Sequence, residues 1–161
     1  EYFPSRLHLN ITYLFEADPS ASLHIAPDEN SGVSWFDLDD GNGNISGHGF
    51  YPEDPAGWES VSGKEYGHTF SDNDTQQYRD AGIPYASLEI ELTDEQYQAV
   101  LDYINNYAED WSLYNNCTDY VMDALEAAGI DTSNYDYTTA GVADPDKLRD
   151  AILANGGRLI E

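Results

Sequence analysis

Val33-Ser34-Trp35-Phe36-Asp37-Leu38-Asp39-Asp40-Gly41-Asn42-Gly43-Asn44-Ile45-Ser46-Gly47-His48-Gly49-Phe50-Tyr51 sets two strand-like runs on either side of one strong turn. The segment from Asp39 to Asn44 holds only Asp, Asn and Gly, the residues that most readily reverse a chain between strands. Val33–Leu38 and Ile45–Tyr51 therefore read as an antiparallel hairpin. With the turn centred between Asp40 and Gly41, Val33 lies across from about His48, give or take a register slip. On that reading His48 projects near whatever site Val33 borders.

Upstream, Leu7, Leu9, Ile11, Tyr13 and Phe15 alternate with other residues, the period of a half-buried strand. Asp18–Ser31 and Pro52–Lys64 read as loops, Tyr66–Phe70 as a short strand and Tyr85–Glu91 as another. Helical signals then take over. Thr93 and Gln96 make a capping-box pattern ahead of Tyr97, Val100, Leu101, Ile104 and Tyr107 at helical spacing. A second helix runs from about Asn116 to Ala128, with Cys117, Tyr120, Val121, Ala124, Leu125 and Ala128 on one face and Gly129 placed to end it. Asp144-Pro145 starts a third helix, Gly156-Gly157 stops it, and Arg158–Ile160 adds a last strand. Strands first and helices after give an α+β class, a mainly antiparallel sheet packed against helices, with residues 1–161 as a single domain.

The chain has 161 residues, 40% hydrophobic and 13% aromatic, which is too apolar for a disordered segment. No apolar run reaches the ~20 residues that span a bilayer. With 31 acidic against 6 basic residues, the net charge is −25. Such a surface repels phosphate backbones and anionic headgroups, so neither nucleic acid nor a membrane is an expected partner. Three readings of the charge stay open: a solubilising surface, a salty or calcium-rich habitat, or attraction of a cationic partner. The chain begins at Glu1, which reads as a processed product or an excised domain.

Cys117 is the only cysteine, so no internal disulfide and no Cys-rich zinc site is expected. Its position at a helix start favours thiolate, because the unpaired N–H groups and the positive dipole end face it. The competing reading is a small, inert core residue. A nucleophilic thiol also needs a base, usually His. His8 reads as surface on the first strand, and His24 sits in a polar loop with no evident partner. His48 and His68 each follow a glycine, and glycine permits close approach of a backbone or a ligand. The Asp37–Asn44 turn and the Asp72/Asp74 pair are oxygen-rich. They lack the pattern of a calcium loop and read as solvated turns. No cofactor or metal is implied.

Three motifs carry a resemblance: Gly32-Val33-Ser34-Trp35-Phe36, Gly49-Phe50-Tyr51-Pro52 and Asn115-Asn116-Cys117-Thr118-Asp119-Tyr120. In this order they resemble the permuted papain-like fold of the NlpC-type superfamily, as found in bacterial polymorphic toxins and type VI secretion effectors. The resemblance spans roughly Leu7 to Ile130. It implies a cysteine-dependent amide hydrolase, a peptidase or amidase, secreted or delivered into a target cell. A peptide or peptidoglycan substrate and an immunity protein would be its partners. It makes Cys117 the nucleophile, with Asn116 beside it, and puts the catalytic His at position 33. This chain has Val33 there. The imidazole would then come from His48, with His68 as the alternative base, or the chain is an inactive binding module.

Overall fold

The computed structural model describes residues 5–12, 33–52, 68–112, 115–139 and 141–161. Among them, six strands form one sheet in the order β4-β3-β2-β1-β5-β8. These are β1 (Ser5–Thr12), β2 (Ser34–Asp39), β3 (Ile45–Pro52), β4 (His68–Ser71), β5 (Tyr85–Leu92) and β8 (Arg158–Ile160). Every neighbouring pair is antiparallel. The pair β6 (Thr138–Thr139) and β7 (Val142–Ala143) forms a small separate ladder. The α+β class follows directly, with an antiparallel sheet and helices packed on it.

Four helices are described: α1 (Asp74–Asp80), α2 (Asp94–Asn106), α3 (Cys117–Ala127) and α4 (Pro145–Ala154). The last three start where the sequence reading puts them, and local chemistry explains why. Thr93 and Gln96 close the expected capping box on α2. Asn116 and Asp119 form a second box on α3. Asp144 caps α4 ahead of Pro145. The shorter helix α1 has no counterpart in the sequence reading. It is seven residues long and buries only Asp74 and Tyr78, so it carries no apolar stripe to read.

Alternation divides the sheet into two faces. Leu7, Leu9 and Ile11 of β1, Phe36 and Leu38 of β2, and Ala86 and Leu88 of β5 point into the main core. There they meet Tyr120, Val121, Ala124 and Leu125 of α3 and Leu148 and Ile152 of α4. The residues between them, including His8, Asn10, Trp35, Asp37, Tyr85 and Ser87, point the other way.

The hairpin is present, but its register corrects the expectation. Phe36, not Val33, pairs with His48, and Asp39 pairs with Ile45. The turn is a longer loop centred on Asn42. Asp39 Oδ1 accepts from the Gly41 N–H (2.8 Å), and Asp40 Oδ1 accepts from the Asn42 N–H (2.7 Å). Gly41 and Gly43 take the left-handed φ values of 83° and 93° that this path needs. The slip is three residues. An odd slip exchanges faces, so His48 and Val33 point to opposite sides of the sheet.

Candidate functional site

Cys117 is the first residue of α3, and it is fully buried. Asn116 fixes that start. Its Oδ1 accepts from the N–H groups of Thr118 (2.9 Å) and Asp119 (3.3 Å), and its Nδ2 donates to the Ala143 carbonyl (3.0 Å). The Asp119 carboxylate returns the bond by accepting from the Asn116 N–H (2.9 Å). The helix start is thus as expected, with Asn116 engaged as its cap. Asn115 is tied elsewhere, to the Tyr107 hydroxyl (2.8 Å) and the Asp110 carbonyl (3.1 Å).

Around the sulfur lies a second apolar cluster made of Val33, Trp35, Tyr51, Tyr78 and Tyr85 with Cys117 itself. Hence Val33 and Cys117, far apart in sequence, share one small buried region. The Ser34 hydroxyl and the Thr118 hydroxyl, 2.8 Å apart, tie β2 to the first turn of α3. Trp35 stacks on Tyr78 at 5.0 Å and tilts against Tyr85 at 5.4 Å.

The electrostatics oppose thiolate. Burial pushes the Cys117 thiol up to about 11, against weaker opposing help from the Ser34 N–H and the Thr118 hydroxyl, and the Asp119 and Asp74 carboxyls push it further up. At pH 7 only about one thiol in 10⁴ is then ionised. Position at a helix start argues for a reactive thiol, but complete desolvation is the larger effect.

Asp74 is the other buried titratable group here, 4% exposed. It accepts from the Tyr51 and Ser71 hydroxyls. Burial raises its carboxyl above the ordinary range despite those two donors. Burial, with the Asp74 charge next in weight, also pushes Tyr51 well above the usual phenol range. The solvated-turn reading of Asp74 is therefore corrected: it is the first residue of α1 and is buried. Gly49 permits this arrangement, because a Cβ at that position would collide with the Asp74 carboxylate and the Tyr51 ring. Gly47 likewise lets the backbone of Asp72 approach. The glycines flanking His48 were a legible sign of close approach, but what approaches is Asp72 and Asp74.

The histidines lie elsewhere. His48 stacks on Phe36 (5.1 Å), and its Nε2 shares a hydrogen bond with the Ser46 hydroxyl (2.8 Å). Burial lowers its pKa below the usual imidazole value, against a smaller opposing pull from Asp72, so it is neutral at pH 7. His68 Nδ1 lies 2.9 Å from the Asp110 carboxylate, and its ring packs on Phe50 and Phe70. The groups acting most strongly on the Cys117 sulfur are Ser34, Thr118, Asp119 and Asp74, and none is a histidine. His24 lies outside the described residues. Among the described residues, no group of three or more His, Cys, Asp or Glu side chains is arranged to hold a metal ion.

No protein-family model, curated protein or solved structure matches this chain.

Proposed function

We propose that this chain is a papain-like domain of the bacterial effector kind that has kept the nucleophile position and lost the base, and that it works as a binding module. The observation that carries the reading is the shared cluster of Val33 and Cys117. The resemblance expects a His at position 33, and Val33 is fully buried in the Cys117 cluster. Valine takes no proton. The neutral thiol, with a pKa near 11, fits an unpaired cysteine rather than an activated one.

A second reading, a working cysteine-dependent amidase or peptidase acting on peptidoglycan peptides, has one feature in its favour. Ser34 N–H and the Thr118 hydroxyl both act to stabilise charge on the sulfur, as a nucleophile at a helix start requires. Alkylation by iodoacetamide at neutral pH separates the two. The binding-module reading predicts a Cys117 rate no faster than that of a free thiol, and no hydrolysis that depends on Cys117. It also predicts that Val33→His, by supplying the imidazole, lowers the thiol pKa and raises the alkylation rate. An accelerated rate in the unmodified chain, or Cys117-dependent cleavage of a peptide substrate, would establish the hydrolase instead.

A further inference from the structure

The outer face of the sheet carries a groove of about 420 Å³ between α1 and β8. Its floor can be read from the strand registers. Asn10, Ser87 and Arg158 lie in one row across β1, β5 and β8, and Asp37 pairs with His8 in the next row. Thr75, Gln76 and Arg79 of α1 form the wall, and Asp72 stands at one end. This floor is polar although Asn10 and Ser87 are only 1% and 8% exposed. Asp37 is held in place by Asn10 Nδ2 (3.0 Å) and by the Thr75 hydroxyl (2.5 Å), which itself accepts from the Trp35 indole N–H (2.8 Å).

The cations point to what the groove receives. Of the six basic residues, Lys64 lies outside the described residues. Arg6 pairs with Glu89 (2.9 Å), Lys147 with Asp136 (3.3 Å) and Arg149 with Asp146 (2.8 Å). Arg79 and Arg158 alone make no ion pair with a carboxylate among the described residues, in a chain with 31 acidic side chains, and the Arg79 charge acts on Asp37 only at longer range, as the weakest of the influences on it. Both arginines line this groove. Arg79 donates its Nε–H to the Tyr85 hydroxyl (2.9 Å), which anchors its guanidinium at the wall.

We propose that the groove binds a small zwitterion, a free amino acid or dipeptide, with its carboxylate on Arg79 and Arg158 and its ammonium on Asp37 and Asp72. Guanidinium forks match a carboxylate in shape and charge. A dianion such as phosphate meets the two aspartates, and a simple cation meets the two arginines. The ligand with one charge of each sign satisfies both. The volume is within the range of small-molecule sites. Nothing in this proposal depends on the chemistry of Cys117.

The test is an NMR titration of the whole chain with L-alanyl-L-alanine, with its C-terminal amide, with its N-acetyl form and with inorganic phosphate. Saturable shifts at the Thr75, Ser87 and Arg158 amides are expected with the free dipeptide, and a loss of affinity of about 10-fold or more with either blocked form. Arg158→Gln, at an exposed position on an edge strand, should weaken the dipeptide by a similar factor while circular dichroism is unchanged. Arg79→Gln should do the same, and Arg79→Lys should restore part of the affinity. Absence of saturable shifts with the dipeptide overturns the proposal. So does equal binding of a blocked form or of phosphate, or full affinity in the Arg158 variant. The alkylation rate of Cys117 is a separate readout, so failure here and failure of the binding-module reading are distinguishable.

Discussion

On one face of the sheet, Leu7, Leu9 and Ile11 enter a core of aliphatic and aromatic side chains closed by α3 and α4. On the other face, the residues alternating with them on β1 are His8 and Asn10. Their neighbours there include Asp37, Ser87, Trp35 and Tyr85, and the region is bordered by the seven-residue α1 and its buried Asp74. The first face gains stability from area removed from water, a term that tolerates some imprecision of fit. The second depends on polar groups finding each other in a dry region, where a missing partner costs more than a present one contributes. The first region accounts for the fold. The second contains nearly everything with chemical potential: the thiol, the buried carboxyl, the polar groove and its two arginines.

The sharpest way to break that contrast is to damage each face by one side chain. Leu9→Ala, at a fully buried site in the main core, should cost about 3 kcal/mol and lower Tm by roughly 10 °C in a chain of this size. That loss should be nearly independent of pH, because no titratable group is removed. Tyr51→Phe keeps the ring and deletes the hydroxyl that donates to Asp74. It should cost less, about 1–2 kcal/mol, and its cost should depend on pH. The Tyr51 hydroxyl lowers the Asp74 pKa, so its removal raises a folded value that burial already holds high. The penalty is therefore full at neutral pH and shrinks as acid protonates Asp74. Thermal melts of both variants across pH 4–8 check the pair. A pH-dependent Leu9→Ala, or a pH-independent Tyr51→Phe, removes the distinction between the faces.

How much of this was legible in the sequence follows the same division. Period-2 and period-3.6 patterns arise from burial of apolar surface, and they located β2, β3, β5, α2, α3 and the Leu7–Ile11 part of β1 within a few residues, while Tyr13 and Phe15 of the same pattern lie outside the described residues. Caps are local, and Thr93, Asn116 and Asp144 all act where their neighbours suggest. The hairpin shows the limit. Six consecutive Asp, Asn and Gly residues announce a turn, but several loop geometries suit them. The choice between a centre near Gly41 and one at Asn42 is made by side-chain bonds from Asp39 and Asp40. That small difference moved His48 to the face opposite Val33. α1 was illegible for a related reason: its inward side holds a carboxyl and a tyrosine, which no hydrophobic period reveals. The cluster of Val33, Tyr51, Asp74, Tyr78 and Cys117 draws on four separate segments, and only the glycines beside His48 hinted at its packing.

The smallest expected effect concerns how acid acts on the whole molecule. Burial raises the carboxyls of Asp119 and Asp123 to about 6, and those of Asp37 and Asp74 rise in the same direction. In the unfolded chain these groups ionise near pH 4. Between about pH 4 and 6 the folded protein thus holds protons that the unfolded chain has released. Stability from this source is complete below pH 4, falls as pH rises through 6, and is level beyond it. Mutual repulsion within a chain of net charge −25 acts in the same direction. The protein should therefore melt at a higher temperature at pH 5 than at pH 7. Asp123→Asn removes one raised group and one of the charges that raises Asp119. It should flatten the slope by a small but measurable amount, with its gain in Tm appearing at pH 7 and fading at pH 4. A chain most stable at neutral pH, or an Asp123→Asn variant with an unchanged slope, would mean that these carboxyls are better solvated than their burial implies. The Asp74 term, and with it the pH dependence expected of Tyr51→Phe, would then weaken for the same reason.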